Sequence, residues 1–275
     1  MHVWLNGSLL PRPDAPALTV ADHGFTVGDG VFETLKVLDG VPFALTRHLD
    51  RLGVSASGLG LPWSRELLAS VRDGVDQVLA AEHLDQGRLR ITVTGGPAPM
   101  GSGRGEAPPT VVVAAGPMAP LPSSTEVVTV PWPRNERGAT AGLKTTSYAE
   151  NVIALARATE EGATEALLPN TRDHVCEGTG SNVFYVVDGE LRTPTLASGC
   201  LAGVTRALVI EWNDVREVDE PVEVLAGASE VFLVSTTRDV QAVSRLDGRE
   251  LPAPGPVTAE VAAVWSTRSR ENLDP

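Results

Sequence analysis

The sequence predicts an α/β (α+β) chain folded as two domains, residues 1–118 and 119–275. Three observations lead there. Strand-like and helix-like segments alternate through the first half, and the second half is richer in strands. Between them lies GPMAPLPSS, residues 116–124, with the Gly, Pro and Ser content of an interdomain linker. A length of 275 residues is ample for two modest domains.

The elements follow in order. His2–Leu5 and Ser8–Leu10 flank Asn6-Gly7, a dipeptide suited to the left-handed positions of a tight hairpin. Val31–Leu38 and Val41–Ala44 flank Asp39-Gly40 in the same way. Leu45–Leu59 and Ser64–Leu84 have helical apolar spacing, and the Ser64 hydroxyl is placed to cap the second. Arg88–Thr94 and Thr110–Ala115 are β-branched runs, separated by GGPAPMGSGRGEAPP, residues 95–109. A Gly- and Pro-rich loop of that length in a compact domain is more often functional than idle. Beyond the linker, strands are expected at Glu126–Pro131, Glu165–Leu168, Val183–Val187, Leu191–Thr193 and Glu230–Ser235, with helices at Tyr148–Glu161 and Val204–Trp212.

Composition excludes several classes. Hydrophobic residues make up 42% and charged residues 21%, a globular balance. A formal charge of −13 argues against nucleic acid, whose phosphates call for a basic surface. No apolar run reaches the roughly 18 residues of a membrane span. The start, MHVWLNGSLL, does not read as a signal peptide, so a reducing cytoplasm is the expected location. Cys176 and Cys200 are too few and too unpatterned for a disulfide framework, and no metal site is expected.

Of 22 basic residues only Lys36 and Lys144 are lysine. Arginine replaces lysine in most surface roles but forms no imine and shuttles no proton. Lys144 stands just before a helix opening near Ser147, where a partly desolvated amine becomes a nucleophile toward an aldehyde. On this segment alone, an ordinary surface lysine preceding a helix is the better reading. In VCEGTGSNVFYVVDGEL, residues 175–191, Glu177 lies on a strand-like stretch before Gly178, Gly180, Ser181 and Asn182. A nucleotide-binding glycine loop would lead into a helix, whereas GTGSN leads into another strand. Gly203-Val204-Thr205 opens a helix whose first amides suit a phosphate, although the same residues serve as a common cap. Arg51, three residues after His48 on one helical face, suits either a phosphate clamp or a surface ion pair.

In this order the segments resemble the class IV aminotransferases, the pyridoxal-phosphate (PLP) enzymes of fold type IV that include D-amino acid aminotransferase. The resemblance runs from about Asn6 to Val243. It is carried by FTVGDGVFETLKV, HLDRL, KTTSYAEN, EGTGSNVF, GVTR and VSTTRDVQAV. It implies that Lys144 holds PLP as a Schiff base and that Glu177 pairs with the pyridine nitrogen. Arg51, Gly203, the Val204 and Thr205 amides and Thr236 match the phosphate cradle. Tyr148 lies one residue out of register with a tyrosine that bonds the phenolic oxygen in part of the family, and Asn182 matches an asparagine near the cofactor. The resemblance also implies a homodimer acting on a small amino substrate, not on nucleic acid or a membrane.

Within the family, Phe32, Thr34, Arg104 and Thr237 are the expected substrate contacts. The loop of residues 95–109 has no histidine, unlike the Arg-x-His of D-amino acid aminotransferases, and Phe32-Glu33-Thr34 departs from the FEG of the branched-chain enzymes. Thr34 and the Gly-Arg-Gly around Arg104 are similar to aminodeoxychorismate lyases. The sequence therefore favours elimination of pyruvate from 4-amino-4-deoxychorismate, a step of folate biosynthesis. An amino-acid:2-oxo-acid aminotransferase is the alternative, and a non-catalytic PLP-binding protein is a third reading.

Overall fold

The computed structural model describes residues 1–275. They form two compact units, one of Met1–Ala119 with Leu143–Ser147 and Leu273–Pro275, the other of Pro120–Gly142 with Tyr148–Asn272.

In the first unit, β1 (His2–Leu5) and β2 (Ser8–Leu9) form the expected hairpin, with Asn6 and Gly7 both at positive φ. A short helix, α1 (His23–Thr26), precedes β3 (Gly30–Leu38), which turns through Asp39-Gly40 into β4 (Val41–Pro42). Helices α2 (Leu45–Gly58) and α3 (Arg65–Glu82) follow, then β5 (Gln86–Thr94) and β6 (Thr110–Pro117). The sheet order is β2-β1-β6-β5-β3-β4, antiparallel throughout. Alternation along β3 sends Val31, Leu35 and Val37 into a core shared with Leu49 and Leu52 of α2 and Val75 of α3. Ser64 caps α3 by accepting from the Leu67 amide at 3.2 Å. Helix α2 starts at Ala44, which has no side-chain acceptor. Its cap comes from Asp274, whose carboxylate accepts from the Thr46 amide at 2.9 Å and from the Thr46 hydroxyl at 2.6 Å.

The second unit holds β7 (Ser124–Thr129), α4 (Ala149–Glu160), β8 (Glu165–Pro169), β9 (Val175–Gly178), β10 (Asn182–Val187) and β11 (Glu190–Thr193). After these come α5 (Val204–Trp212), β12 (Arg216–Glu217), β13 (Glu230–Ser235), β14 (Asp239–Leu246), β15 (Arg249–Glu250) and α6 (Pro256–Glu271). Its sheet runs β12-β11-β10-β13-β14-β7-β8-β9, with β15 on β14. The α6 helix has no counterpart in the expected elements. It buries Thr258, Val261, Trp265 and Ser269, and two polar residues in four blur the apolar period.

Two expectations need correction. The linker is shorter than residues 116–124, because β6 runs to Pro117 and β7 starts at Ser124. The lysine segment belongs to the first unit and not to the C-terminal one. The Phe32 amide donates to the Lys144 carbonyl at 3.0 Å, and the Thr146 amide to the Gly30 carbonyl at 2.8 Å, so the segment is laid along the start of β3.

Candidate active site

The expected site residues fall in both units. Lys144, Phe32, Thr34, Arg51 and Arg104 are in the first; Tyr148, Glu177, Asn182, Gly203, Val204, Thr205, Thr236 and Thr237 are in the second.

Lys144 is half-buried, its backbone amide donating to the Ser55 hydroxyl at 3.1 Å. Its Nζ lies 4.4 Å from the centroid of the Phe32 ring. The Arg90 guanidinium lies over the same ring, 3.9 Å from the centroid. Register explains the meeting. Thr34 pairs with Arg90 and Phe32 with Thr92, so Phe32, Thr34 and Arg90 share one face of the sheet. Two cations against one aromatic ring draw on its quadrupole and place positive charge beside the lysine. Arg90 was missed in the sequence because it is an ordinary alternating residue of β5. The cross-strand register is the signal that singles it out.

Arg51 is drawn to Glu33, which is fully buried. Its Nε donates to Oε1 at 2.8 Å and its Nη2 to Oε2 at 2.7 Å, a bidentate fork. The buried His48 approaches through Nδ1 at 2.7 Å from the same Oε2. Burial alone would raise the Glu33 carboxyl, but the Arg51 charge and the Arg51 and His48 hydrogen bonds outweigh it and hold the group at about 2. His48 is lowered, chiefly by burial and against its bond to Glu33. The Nε and Nη2 of Arg51 are thus held on Glu33.

Arg104, expected on the substrate, is committed elsewhere. Its Nε and Nη2 donate to the two Asp29 oxygens at 2.7 and 2.6 Å, and its Nη1 and Nη2 donate to the Gly60 and Leu59 carbonyls at 2.7 and 2.6 Å. A guanidinium engaged by a carboxylate and by the carbonyls just after α2 fastens the loop of residues 95–109.

In the second unit Glu177 accepts from Arg134 Nε at 3.0 Å and from the Leu201 amide at 2.8 Å. Asn182 Nδ2 donates to the Leu201 carbonyl at 2.9 Å. Glu177 and Asn182 thus grip one backbone unit from both sides, fixing the turn that leads into α5. Gly203 stands at the start of α5 with no side-chain cap, so the first amides of the helix keep the polarity that suits a phosphate. A Cβ on Gly203 would fall 2.1 Å from Asn182 Oδ1, so only glycine lets that turn close. Tyr148 is half-buried immediately before α4, and Thr236 and Thr237 occupy the half-buried turn between β13 and β14, where Thr237 Oγ1 is 3.5 Å from the Ser235 hydroxyl. Arg134 and Leu201 had no signal in the sequence, since Arg134 sits in a loop and Leu201 acts through its backbone. Cys176 and Cys200 are buried free thiols, both pushed up by burial, Cys200 to about 11, and neither is poised as a nucleophile.

The family model described as amino-transferase class IV matches residues 30–246. The chain belongs to the class IV aminotransferases. A Methanocaldococcus jannaschii protein, provisionally named a branched-chain-amino-acid aminotransferase, is 34% identical over 260 residues, spanning 90% of this chain and 89% of its own. A D-alanine aminotransferase of Listeria monocytogenes is 30% identical over 285 residues, 95% of this chain and 93% of its own. A Legionella pneumophila crystal structure, provisionally described as a 4-amino-4-deoxychorismate lyase, superposes with a TM-score of 0.86 at 26% identity, covering 93% of this chain and 96% of that one. Class IV aminotransferases are PLP-dependent enzymes acting on small amino and oxo acids. No helix of this chain is long and apolar enough to cross a membrane.

Each unit by itself carries groups whose chemistry fits PLP. The first has an amine at Lys144. The second has a carboxylate at Glu177 flanked by a guanidinium and an amide, and an uncapped helix start kept close by glycine.

Proposed function

We propose that the protein is an amino-acid:2-oxo-acid aminotransferase. The observation that carries this reading is the Phe32 ring, with the Lys144 amine and the Arg90 guanidinium 4.4 and 3.9 Å from its centroid. Lys144 would hold the cofactor, Glu177 would oppose its ring nitrogen, and Arg51, the Val204 and Thr205 amides and Thr236 would take its phosphate. Tyr148 and Asn182 would flank it. Bound there, PLP supplies an electron sink for the carbon that bears the substrate nitrogen. Lys144 Nζ would take the proton from that carbon and deliver it to the cofactor carbon on the other side of the nitrogen, the transfer that transamination requires. Arg90 attracts the substrate carboxylate to the same face, with Phe32 and Thr34 shaping the space beside it. Arg134 and Leu201 keep Glu177 in place for negative charge. A cytoplasmic homodimer is part of the same reading.

Aminodeoxychorismate lyase is the second reading, favoured by Thr34 on that face and by the likeness to the Legionella structure. Its other support weakens, because Arg104 of the Gly-Arg-Gly loop is engaged by Asp29. Purified protein loaded with PLP would be given amino acids with 2-oxoglutarate and, separately, aminodeoxychorismate. Glutamate formation that Lys144→Ala abolishes supports the aminotransferase. Formation of 4-aminobenzoate without glutamate overturns it in favour of the lyase. An absorbance band that depends on Lys144, with neither turnover, leaves a PLP-binding protein.

A further inference from the structure

The near end of the loop of residues 95–109 is tied down by backbone bonds, the Ala98 amide donating to the Ala21 carbonyl at 3.0 Å and the His23 amide to the Gly96 carbonyl at 2.9 Å, while residues 101 and 104 converge on the Asp29 carboxylate and its neighbours. Arg104 grips that carboxylate with two nitrogens and reaches past it to the Leu59 and Gly60 carbonyls just after α2. His23, in α1 and buried, touches the same carboxylate, at the oxygen that also accepts from Arg104 Nε. Its Nδ1 lies 2.9 Å from Asp29 Oδ2, and its Nε2 lies 3.0 Å from the Gly101 carbonyl.

Both partners of the histidine are acceptors. A carbonyl oxygen has no proton to give, and a carboxylate between a guanidinium and an imidazole is ionised. Neutral imidazole donates from one nitrogen only, so both contacts are hydrogen bonds only in the imidazolium. The charged groups facing His23 are Asp29 at the entry to β3 and Arg104 on the loop. Asp22, its neighbour in α1, turns its oxygens to the Gly24 amide and the Thr94 hydroxyl.

The Asp29 turn also carries the lysine segment. The Thr146 and Ser147 hydroxyls donate to the Gly28 carbonyl at 2.9 and 3.1 Å, and the Thr146 amide to the Gly30 carbonyl at 2.8 Å. The residues on either side of Asp29 therefore hold the backbone two and three residues beyond Lys144.

We propose that Arg104 and His23 are positioning residues that clamp residues 100–104 onto Asp29, that His23 does so only while protonated, and that the clamp fixes the turn supporting Lys144. Asp29 is lowered from its ordinary value, first by the Arg104 hydrogen bond. His23 is raised above 6.5, first by its bond to Asp29 and then by the Gly101 carbonyl. A raised histidine holds its contribution in full below its unfolded value and loses it as pH climbs through the folded one. The clamp is closed in mild acid and loosens as pH rises past the raised value.

Hydrogen exchange of the loop amides, measured on the full chain with and without added PLP, tests the clamp. Corrected for base catalysis, exchange at Gly96 and Ala98, whose amides donate to the Thr94 hydroxyl and the Ala21 carbonyl, is expected to quicken at least about tenfold as pH rises, the scale of one charged hydrogen bond. Its midpoint should match the His23 titration followed by NMR. His23→Gln removes the step. Arg104→Met exchanges fast at every pH, and Arg104→Lys restores part of the protection. A flat profile in the wild type, which needs no variant to fold, overturns the proposal, as does wild-type protection in Arg104→Met. The Lys144 part rests on the proposed function and is read from the pH midpoint of the cofactor absorbance band in Arg104→Met. A displaced midpoint supports that part and an unmoved one overturns it. Exchange without cofactor reports on the clamp alone, so failure of the PLP reading is distinguishable from failure of the clamp.

Discussion

Replacing Glu33 by glutamine tests whether the buried carboxylate organises Arg51. Glu33 is fully buried, accepts both prongs of Arg51, and faces His48 at 2.7 Å. Its carboxyl is held at about 2, against an ordinary 4.5. At about 1.4 kcal/mol per pKa unit that difference is worth about 3 kcal/mol at neutral pH. The folded value lies below the unfolded one. The contribution is therefore complete above pH 4.5 and fades as pH falls toward about 2. Glutamine keeps the volume but turns an amide donor against donors, leaving the Arg51 charge half-buried and unmatched. The expected loss is about 3 kcal/mol, at the low end for breaking a buried ion pair. For a chain of this size that lowers the melting temperature by about 6–12 °C. Thermal and urea unfolding at pH 7, 5 and 3 are the assays, with the wild-type advantage shrinking between pH 5 and 3. A variant within about 1 kcal/mol of wild type at pH 7 would refute the argument, as would an advantage that does not change between pH 5 and 3. Cofactor titration of the same variant shows whether Arg51 needs Glu33 to hold a phosphate.

Arg90→Met keeps an unbranched apolar stem against Phe32 while removing the charge. KM for the amino acid is expected to rise about tenfold or more with a smaller change in kcat, as for loss of a charged hydrogen bond; an unchanged KM means the carboxylate is bound elsewhere. Gly203→Ala places a methyl 2.1 Å from Asn182 Oδ1, so Asn182 must release the Leu201 carbonyl. PLP affinity in an absorbance titration should fall by about tenfold, the cost of modest overpacking, and wild-type affinity would show that the turn yields freely.

The sequence by itself determined the local elements and the chemistry-bearing segments. The two hairpins follow from Asn6-Gly7 and Asp39-Gly40, the cap of α3 from Ser64, and most strands from β-branched runs, because turn chemistry and periodicity are settled between near neighbours. Lys144 was conspicuous in a lysine-poor chain, and the ordered motifs led to the family. Tertiary structure alone decided how the charged side chains are spent. Asp274 caps a helix through Thr46, 228 residues earlier, Lys144 joins the first unit through β3, and cross-strand register puts Arg90 on the Phe32 ring. Arg51 and Arg104 read alike in sequence, as cations available to a ligand. Packing gives Arg51 to Glu33 and Arg104 to Asp29, because a guanidinium's partner is set by which acceptors the folded backbone brings within about 3 Å, and residue type and spacing do not encode that.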